Sequence, residues 1–239
     1  LILGQSDKVM LQQMMDAPTV GCYGAALNFG GIMFTLFTAL NNAWCPFFFE
    51  DMKQSNRENL RDKAGNFLEL FTVLSVGFVL LASEVYRYVY VSRDFWGSTM
   101  LIPIFVSSYY TNFLCTFPVN FEYYHKKTKV VSIITIVSSL VNVGLNYLLI
   151  LRIGMAGAAV ATLISHSLQL TLHYLYVRFA LGGKEYPFPL KMWVGYAAVF
   201  AAVAVASVAA DGLWPARWGL GAAIGAWELL RIRKRKVLI

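Results

Sequence analysis

The chain has 239 residues, of which 58% are hydrophobic and 14% charged, with a net charge of +7. Soluble domains carry about 25% charged residues and interrupt their apolar runs more often, so the composition excludes an ordinary soluble domain and points to a polytopic membrane protein. In a soluble protein the positive balance would raise nucleic acid as a partner; here the basic residues fall between apolar runs, so topology accounts for them and no nucleic-acid partner is expected.

Residues 1–15 read as the tail of a spanning helix whose start is missing. The chain begins without Met, apparently inside a helix, which is expected of a C-terminal piece of a longer protein. A polar hinge follows, Asp16, Ala17, Pro18 and Thr19. Residues 20–49 then carry no charge and exceed the roughly 20 residues a helix needs to cross a bilayer. Within them Asn28, Thr35, Thr38 and Asn42 fall at helical spacing and make one polar stripe. On a spanning helix such a stripe faces protein or water, not lipid. The charged connection EDMKQSNRENLRDK, residues 50–63, is predicted to be helical at the surface. Further spans are predicted over 66–86, 99–124 (with Pro103 and Pro118 inside), 130–151, 154–179, 192–210 and 214–230. The expectation is an all-α polytopic membrane protein with one partial plus seven complete transmembrane helices.

Counting basic residues on alternate sides tests that reading. One side holds 15 Lys and Arg, among them Lys53, Lys127, Lys184 and Arg235; the other holds 5, Lys8, Arg87, Arg93, Arg152 and Arg217. Positive charge favours the cytoplasmic side, which places the C-terminus and its RIRKRK run there, where it would attract anionic lipids. Tyr86, Tyr88, Tyr90, Trp96, Trp214 and Trp218 would ring the outer interface, and Tyr123, Tyr124, Tyr176, Tyr186 and Trp193 the inner one. Cys22, Cys45 and Cys115 have no CxxC spacing and read as small apolar fillers.

Three stretches carry a resemblance. They are Ser6-Asp7-Lys8-Val9-Met10-Leu11, then Val20-Gly21-Cys22-Tyr23-Gly24-Ala25-Ala26 with Pro46-Phe47 closing the long apolar run, and the later Gly154-Met155-Ala156-Gly157-Ala158-Ala159-Val160-Ala161-Thr162. In this order they resemble the C-terminal half of the polysaccharide-transporter flippases (Wzx-like) of the multidrug/oligosaccharidyl-lipid/polysaccharide exporter superfamily. The resemblance covers the chain to about residue 179. It implies that residues 1–180 are the second six-helix lobe, its first helix truncated. Residues 181–239 would then be two additional helices and a basic cytoplasmic tail.

It also implies a function: moving lipid-linked oligosaccharide across the bacterial cytoplasmic membrane by alternating access, for surface polysaccharide biosynthesis. The expected partners are an undecaprenyl-pyrophosphate-linked saccharide, membrane lipids and the N-terminal half of the same transporter. No cofactor is expected beyond a coupling ion, H+ or Na+. Three other readings stay open: a multidrug or organic-cation exporter of the same superfamily, a non-transporting membrane scaffold, and a membrane glycosyltransferase. The sequence holds no phosphate-binding Gly loop, no HExxH and no nucleophile elbow, so an enzyme is not expected.

Several residues are candidates for lining a cavity. By resemblance Asp7 and Lys8 sit near it: Lys8 would attract a pyrophosphate, and Asp7 would hold Lys8 or bind the coupling ion. The competing reading places both at the outer interface. His166, Gln169 and His173, at i, i+3 and i+7, share a helix face and would meet sugar hydroxyls or a proton, or else bond between helices. They lack the carboxylate partners and spacing of a metal site. Asn142 and Asn146, with Thr135 and Ser138 or Ser139, form a second polar stripe beside that of Asn28 and Asn42. Either could contact sugar or join helices. Glu69 and Glu84 lie within or at the ends of one span; Glu84 is expected to reach the outer interface, and Glu69 is the better candidate for the cavity. Arg87, Arg93 and Arg152 offer either phosphate recognition or snorkelling to headgroups.

Overall fold

The computed structural model describes residues 6–90, 92–181, 185–209 and 213–235. The upstream end of the first span, residues 1–5, lies outside them, as do Lys184 and Lys236 of the charge pattern. The elements are α1 (Ser6–Met14), α2 (Ala17–Lys53), α3 (Arg57–Val89), a 3-10 helix (Arg93–Ser98), α4 (Leu101–Tyr124), α5 (Thr128–Ile153), α6 (Met155–Leu175) running into a π turn (Tyr176–Ala180), α7 (Leu190–Ala209) and α8 (Trp214–Arg235). The described residues include no strand.

Five helices are long and apolar enough to cross a membrane: α2, α3, α5, α6 with its π turn, and α7. Two of the seven complete spans expected from sequence therefore fall short on composition. In α4, Ser107, Ser108, Tyr109, Tyr110, Thr111, Asn112, Thr116 and Asn120 lower the hydropathy. It is also the innermost helix, packed against α2, α3, α5, α6 and α7, so its surface meets protein more than lipid. In α8 the charges Arg217, Glu228, Arg231 and Arg233 have the same effect.

The charged connection at 50–63 is helical and mostly exposed, as expected, but split between two helices. α2 runs on through Lys53 and α3 begins at Arg57, leaving a three-residue turn. Ser55 takes a positive φ of 56°, and the Asn56 side chain accepts the Asn59 N–H at 3.3 Å. Asp51 pins the start of α3 by accepting from Asn59 Nδ2 at 3.0 Å and Lys63 Nζ at 2.9 Å. Aromatic and cationic side chains also tie the 3-10 helix to the end of α3. Arg87 and Arg93 lie over the Trp96 ring at 5.9 and 5.6 Å, and Trp96 donates to the Tyr90 carbonyl at 3.0 Å. Arg87 and the Trp96–Tyr90 bond hold the 3-10 helix onto the end of α3, whereas Arg93 stacks within the 3-10 helix itself.

Aromatic packing fills the centre. Phe113 of α4 meets Phe67 and Phe71 of α3 at centroid distances of 5.1 and 4.2 Å. Phe37 and Trp44 of α2 close on the same cluster. Such ring pairs contribute roughly 0.5–1.5 kcal/mol each beyond area burial. Small residues set the closest crossings. A Cβ on Gly157 would stand 2.3 Å from the Leu149 carbonyl oxygen, and Gly154 turns the chain from α5 into α6 with φ +61°. The Gly154-to-Gly157 spacing thus has a structural cause: only glycine fits both positions.

α7 and α8 both pack along α3. α7 also stacks Phe200 on Tyr110 at 4.3 Å and sets Trp193 against Phe117 at 5.8 Å. α8 is held by Arg217, which is 4% exposed. It pairs with Glu84 at 3.1 Å and donates to the Leu80 carbonyl at 3.0 Å and Ser83 at 3.3 Å. Glu84 therefore clamps α3 to α8.

The basic connections meet at one end of the bundle. Tyr124, ending α4, donates to the Met52 carbonyl at 3.4 Å, and Arg61 donates to the Pro187 carbonyl at 3.2 Å. The Trp96 cluster, Glu84–Arg217 and the contact between Met15 and Gly154 lie at the opposite end.

Candidate functional site

Asp7 is 8% exposed, although it lies on a short helix at the start of the described chain. One carboxylate oxygen accepts from the Tyr23 hydroxyl of α2. The other accepts the Lys8 backbone N–H at 2.9 Å. Tyr23 is itself fully buried and packs edge-on against Phe105 of α4 at 5.3 Å. The hinge at Asp16 makes this possible: Asp16 accepts from Thr19, Pro18 sits in the first turn of α2, and the chain folds back so that α1 lies against α2, α5 and α6. The first two motifs of the resemblance therefore meet in one hydrogen bond. Tyr23 is not among the site candidates from sequence, although it stands inside the Val20-to-Ala26 motif; 16 residues separate it from Asp7, and periodicity does not reveal such a contact.

Asp7 is thus engaged by Tyr23 rather than by the Lys8 side chain. Lys8 is half-buried, and no carboxylate pairs with its ammonium among the described residues.

Along α2, Asn28, Thr35, Thr38 and Asn42 are all exposed. The two threonines satisfy their hydroxyls on their own helix, at Gly31 and Phe34, as they would in any solvent. The two asparagines differ. Their amides find no partner among the described residues, and they stand 14 residues apart, about 21 Å along the axis. A bare amide facing hydrocarbon costs several kcal/mol. On a membrane-spanning helix that cost favours water or protein over lipid at these two positions, although Ile32, between them, is 52% exposed and apolar. The outward face of α5 contrasts with this stripe: Ile133, Ile136, Leu140, Leu148 and Leu151 are 53–64% exposed and apolar, a surface suited to lipid.

The other candidates face inward. Asn146 is fully buried and donates to Asn142 at 3.0 Å within α5. Ser138 is buried on the same helix. Glu69 is 9% exposed, inside the bundle on α3. His166, Gln169 and His173 do not act as one face. His166 donates to the Ser108 carbonyl of α4 at 3.1 Å, whereas Gln169 reaches Thr135 of α5 at 3.4 Å. His173 turns to α4, with Nδ1 at 2.9 and 3.0 Å from the two oxygens of Glu122. Both side chains of that pair are fully buried. Its Nε2 is buried without a partner among the described residues. Glu122 was not singled out from sequence: it lies three residues before the His125-Lys126-Lys127 turn and looks like one more interfacial charge. Its burial follows from the loop at 185–189, which folds over it through Tyr186 and Phe121.

No group of His, Cys, Asp and Glu among the described residues could hold a metal ion. The three cysteines are free thiols, with Cys115 buried and Cys22 and Cys45 half-buried.

Comparison with known proteins adds the membrane character and little more. The chain matches no protein-family model and no solved structure. It is 25% identical over 141 residues to an uncharacterized membrane protein of Haemophilus influenzae, an alignment spanning 59% of this chain and 35% of that protein. The chain thus covers about a third of the length of this relative, and the five apolar helices and the relative agree on a multi-pass membrane protein.

Proposed function

We propose that the chain is the second lobe of a flippase that carries lipid-linked saccharide across the bacterial cytoplasmic membrane. In this reading α4 and α8 cross the membrane with the five apolar helices, and the C-terminus lies in the cytoplasm. The observation that carries the reading is Lys8: a half-buried ammonium without a carboxylate partner among the described residues, next to an Asp7 already engaged by Tyr23. A cation left unneutralised at membrane depth calls for an anionic visitor, and a pyrophosphate headgroup has the right charge. The α2 stripe supplies neutral hydrogen-bonding groups on an uncovered face, as sugars require. Both would line a path shared with a second lobe, and rocking of two lobes about it gives alternating access. The Tyr23 bond fixes α1 on α2, so that Lys8 keeps its place while the lobes move.

The test is accumulation of undecaprenyl-linked oligosaccharide on the cytoplasmic side, measured with the full-length protein. Lys8→Arg is expected to keep much of the flipping rate, and Lys8→Gln to lose most of it at normal membrane abundance. Wild-type flipping by Lys8→Gln makes Lys8 an interfacial anchor and removes the reading. Loss of cation export without loss of flipping would replace it with a drug exporter.

A further inference from the structure

Beneath the loop at 185–189, α4 and α6 meet through an acid and a base whose side chains are both 0% exposed. We propose that Glu122 and His173 form a proton-binding site that exchanges with water at the basic end of the bundle through Tyr186. Nδ1 of His173 stands 2.9 and 3.0 Å from the two carboxylate oxygens. An ionised carboxylate only accepts, so Nδ1 carries its hydrogen toward Glu122. The atom left to gain or lose a proton is Nε2, which is buried with no hydrogen-bond partner among the described residues. Buried polar atoms in a purely structural pair are ordinarily satisfied; a bare Nε2 is what a mobile proton needs. When a proton arrives it bonds to the Nε2 lone pair, and the pair passes from one net negative charge to none. The two groups are in contact, so the step belongs to the pair rather than to either residue alone.

The cover over the pair supplies the route. Tyr186 packs on Phe121 at 5.2 Å and on Trp193 at 6.0 Å. Its hydroxyl is buried without a hydrogen-bond partner among the described residues, within electrostatic reach of Tyr174, Cys115 and Glu122. Burial first, and those neighbours second, hold the phenol well above the ordinary tyrosine range. It therefore stays an O–H, able to accept one proton and give up another. The rings of Tyr174 and Tyr186 also line a cavity of about 250 Å³ at the basic end, so the cover has a wet outer side. Other titratable groups leave the pair alone. Cys115 is a buried free thiol on α4, and His125 stacks on Phe121 at 4.5 Å. At the same end Asp51 accepts from Lys63, Arg61 donates to the Pro187 carbonyl, and Lys129, Arg178, Glu185 and Lys191 are exposed. No third ion-pair partner joins Glu122 or His173 among the described residues. With the proton on, the contact is a buried ion pair; with it off, an uncompensated charge stays between α4 and α6, which is costly. Protonation therefore holds α4, α6 and the loop together, and deprotonation favours opening them to water. The proposal does not rest on the flippase reading: it concerns proton occupancy of the purified chain, and Lys8 takes no part in its test.

The full chain, with its histidine rings labelled with nitrogen-15, is reconstituted in lipid bilayers and followed by solid-state nuclear magnetic resonance across about pH 5–8, the range in which histidine serves as a switch. H125Q and H166Q assign the signals of the three histidines. Wild type is expected to keep Nδ1 of His173 protonated throughout, while Nε2 passes reversibly from the bare to the protonated nitrogen range as the pH falls. Glu122→Gln keeps an acceptor oxygen for Nδ1 but removes the charge that supports the imidazolium, so its Nε2 should need at least tenfold more acid. Tyr186→Phe should leave the midpoint in place and slow proton exchange at Nε2 severalfold. Should Glu122→Gln fail to fold, the wild-type titration carries the test by itself. An Nε2 fixed in one state across the range, or a Glu122→Gln midpoint equal to that of wild type, overturns the site. Exchange as fast in Tyr186→Phe as in wild type overturns the route.

Discussion

Tyr23→Phe removes one oxygen and leaves the ring packed on Phe105. The affected partner is a carboxylate that is 8% exposed and would keep only the Lys8 N–H. A hydrogen bond to a charged group contributes about 1.5–3 kcal/mol, and a buried group stripped of its partner costs a similar amount. Asp7→Asn changes the charge with little change of shape and weakens the same bond from the other side. The double variant should then lose less than the two single losses added together, by a coupling of about 1.5–3 kcal/mol. The assay is equilibrium unfolding of the full chain in mixed micelles, titrated with sodium dodecyl sulfate and followed by far-ultraviolet circular dichroism. Independent sites add to within about 0.5 kcal/mol. Additive losses at that level would show that Asp7 and Tyr23 are not partners, and the anchoring of α1 on α2 would have to be abandoned.

Arg217→Ala leaves Glu84 without its main partner and should destabilise the chain by about 3–5 kcal/mol; R217M/E84Q should recover most of this, and trypsin sensitivity of α8 reports both. Gly157→Ala places a Cβ 2.3 Å from the Leu149 carbonyl and should abolish a monodisperse elution profile, whereas Gly31→Ala, with nothing within 4 Å of its new methyl, should elute as wild type. Glu122→Ala strands the buried His173 and should cost about 1–3 kcal/mol, while Glu122→Gln keeps one bond and loses less; unfolding titrations separate them, and equal losses would refute the pairing. Single cysteines at Asn56 and Lys127 in a cysteine-free background should resist an impermeant thiol reagent added outside intact cells, and labelling of both would reverse the proposed sidedness.

The helices were largely legible because long apolar runs leave few alternatives. Their ends were not: at residues 50–63 charge signalled a helical surface segment, which it is, but not the turn inside it, where Asp51 and Asn56 reverse the chain within three residues. The polar stripe of α2 was legible because helical spacing alone places Asn28 and Asn42 on one side. The partners of buried polar groups were hidden, because Asp7 and Tyr23, Glu84 and Arg217, and Glu122 and His173 are joined across 16, 133 and 51 residues. Periodicity orders residues along one helix and carries no information about which helix lies opposite. His166, Gln169 and His173 show the same limit: a shared face in projection spreads over enough arc to meet α4 on one side and α5 on the other.

The central claim is that the exposed stripe of α2 lines a wet path for a lipid-linked saccharide. Single cysteines at Asn28, Thr35, Thr38 and Asn42 in the cysteine-free full-length protein, with Leu140 and Leu148 of α5 as lipid-facing references, test it through reaction with a small charged methanethiosulfonate. The account predicts fast labelling along the stripe, slow labelling at Leu140 and Leu148, and protection of the stripe by undecaprenyl-linked oligosaccharide but not by tetraphenylphosphonium. Stripe cysteines that react as slowly as those at Leu140 and Leu148 would contradict it.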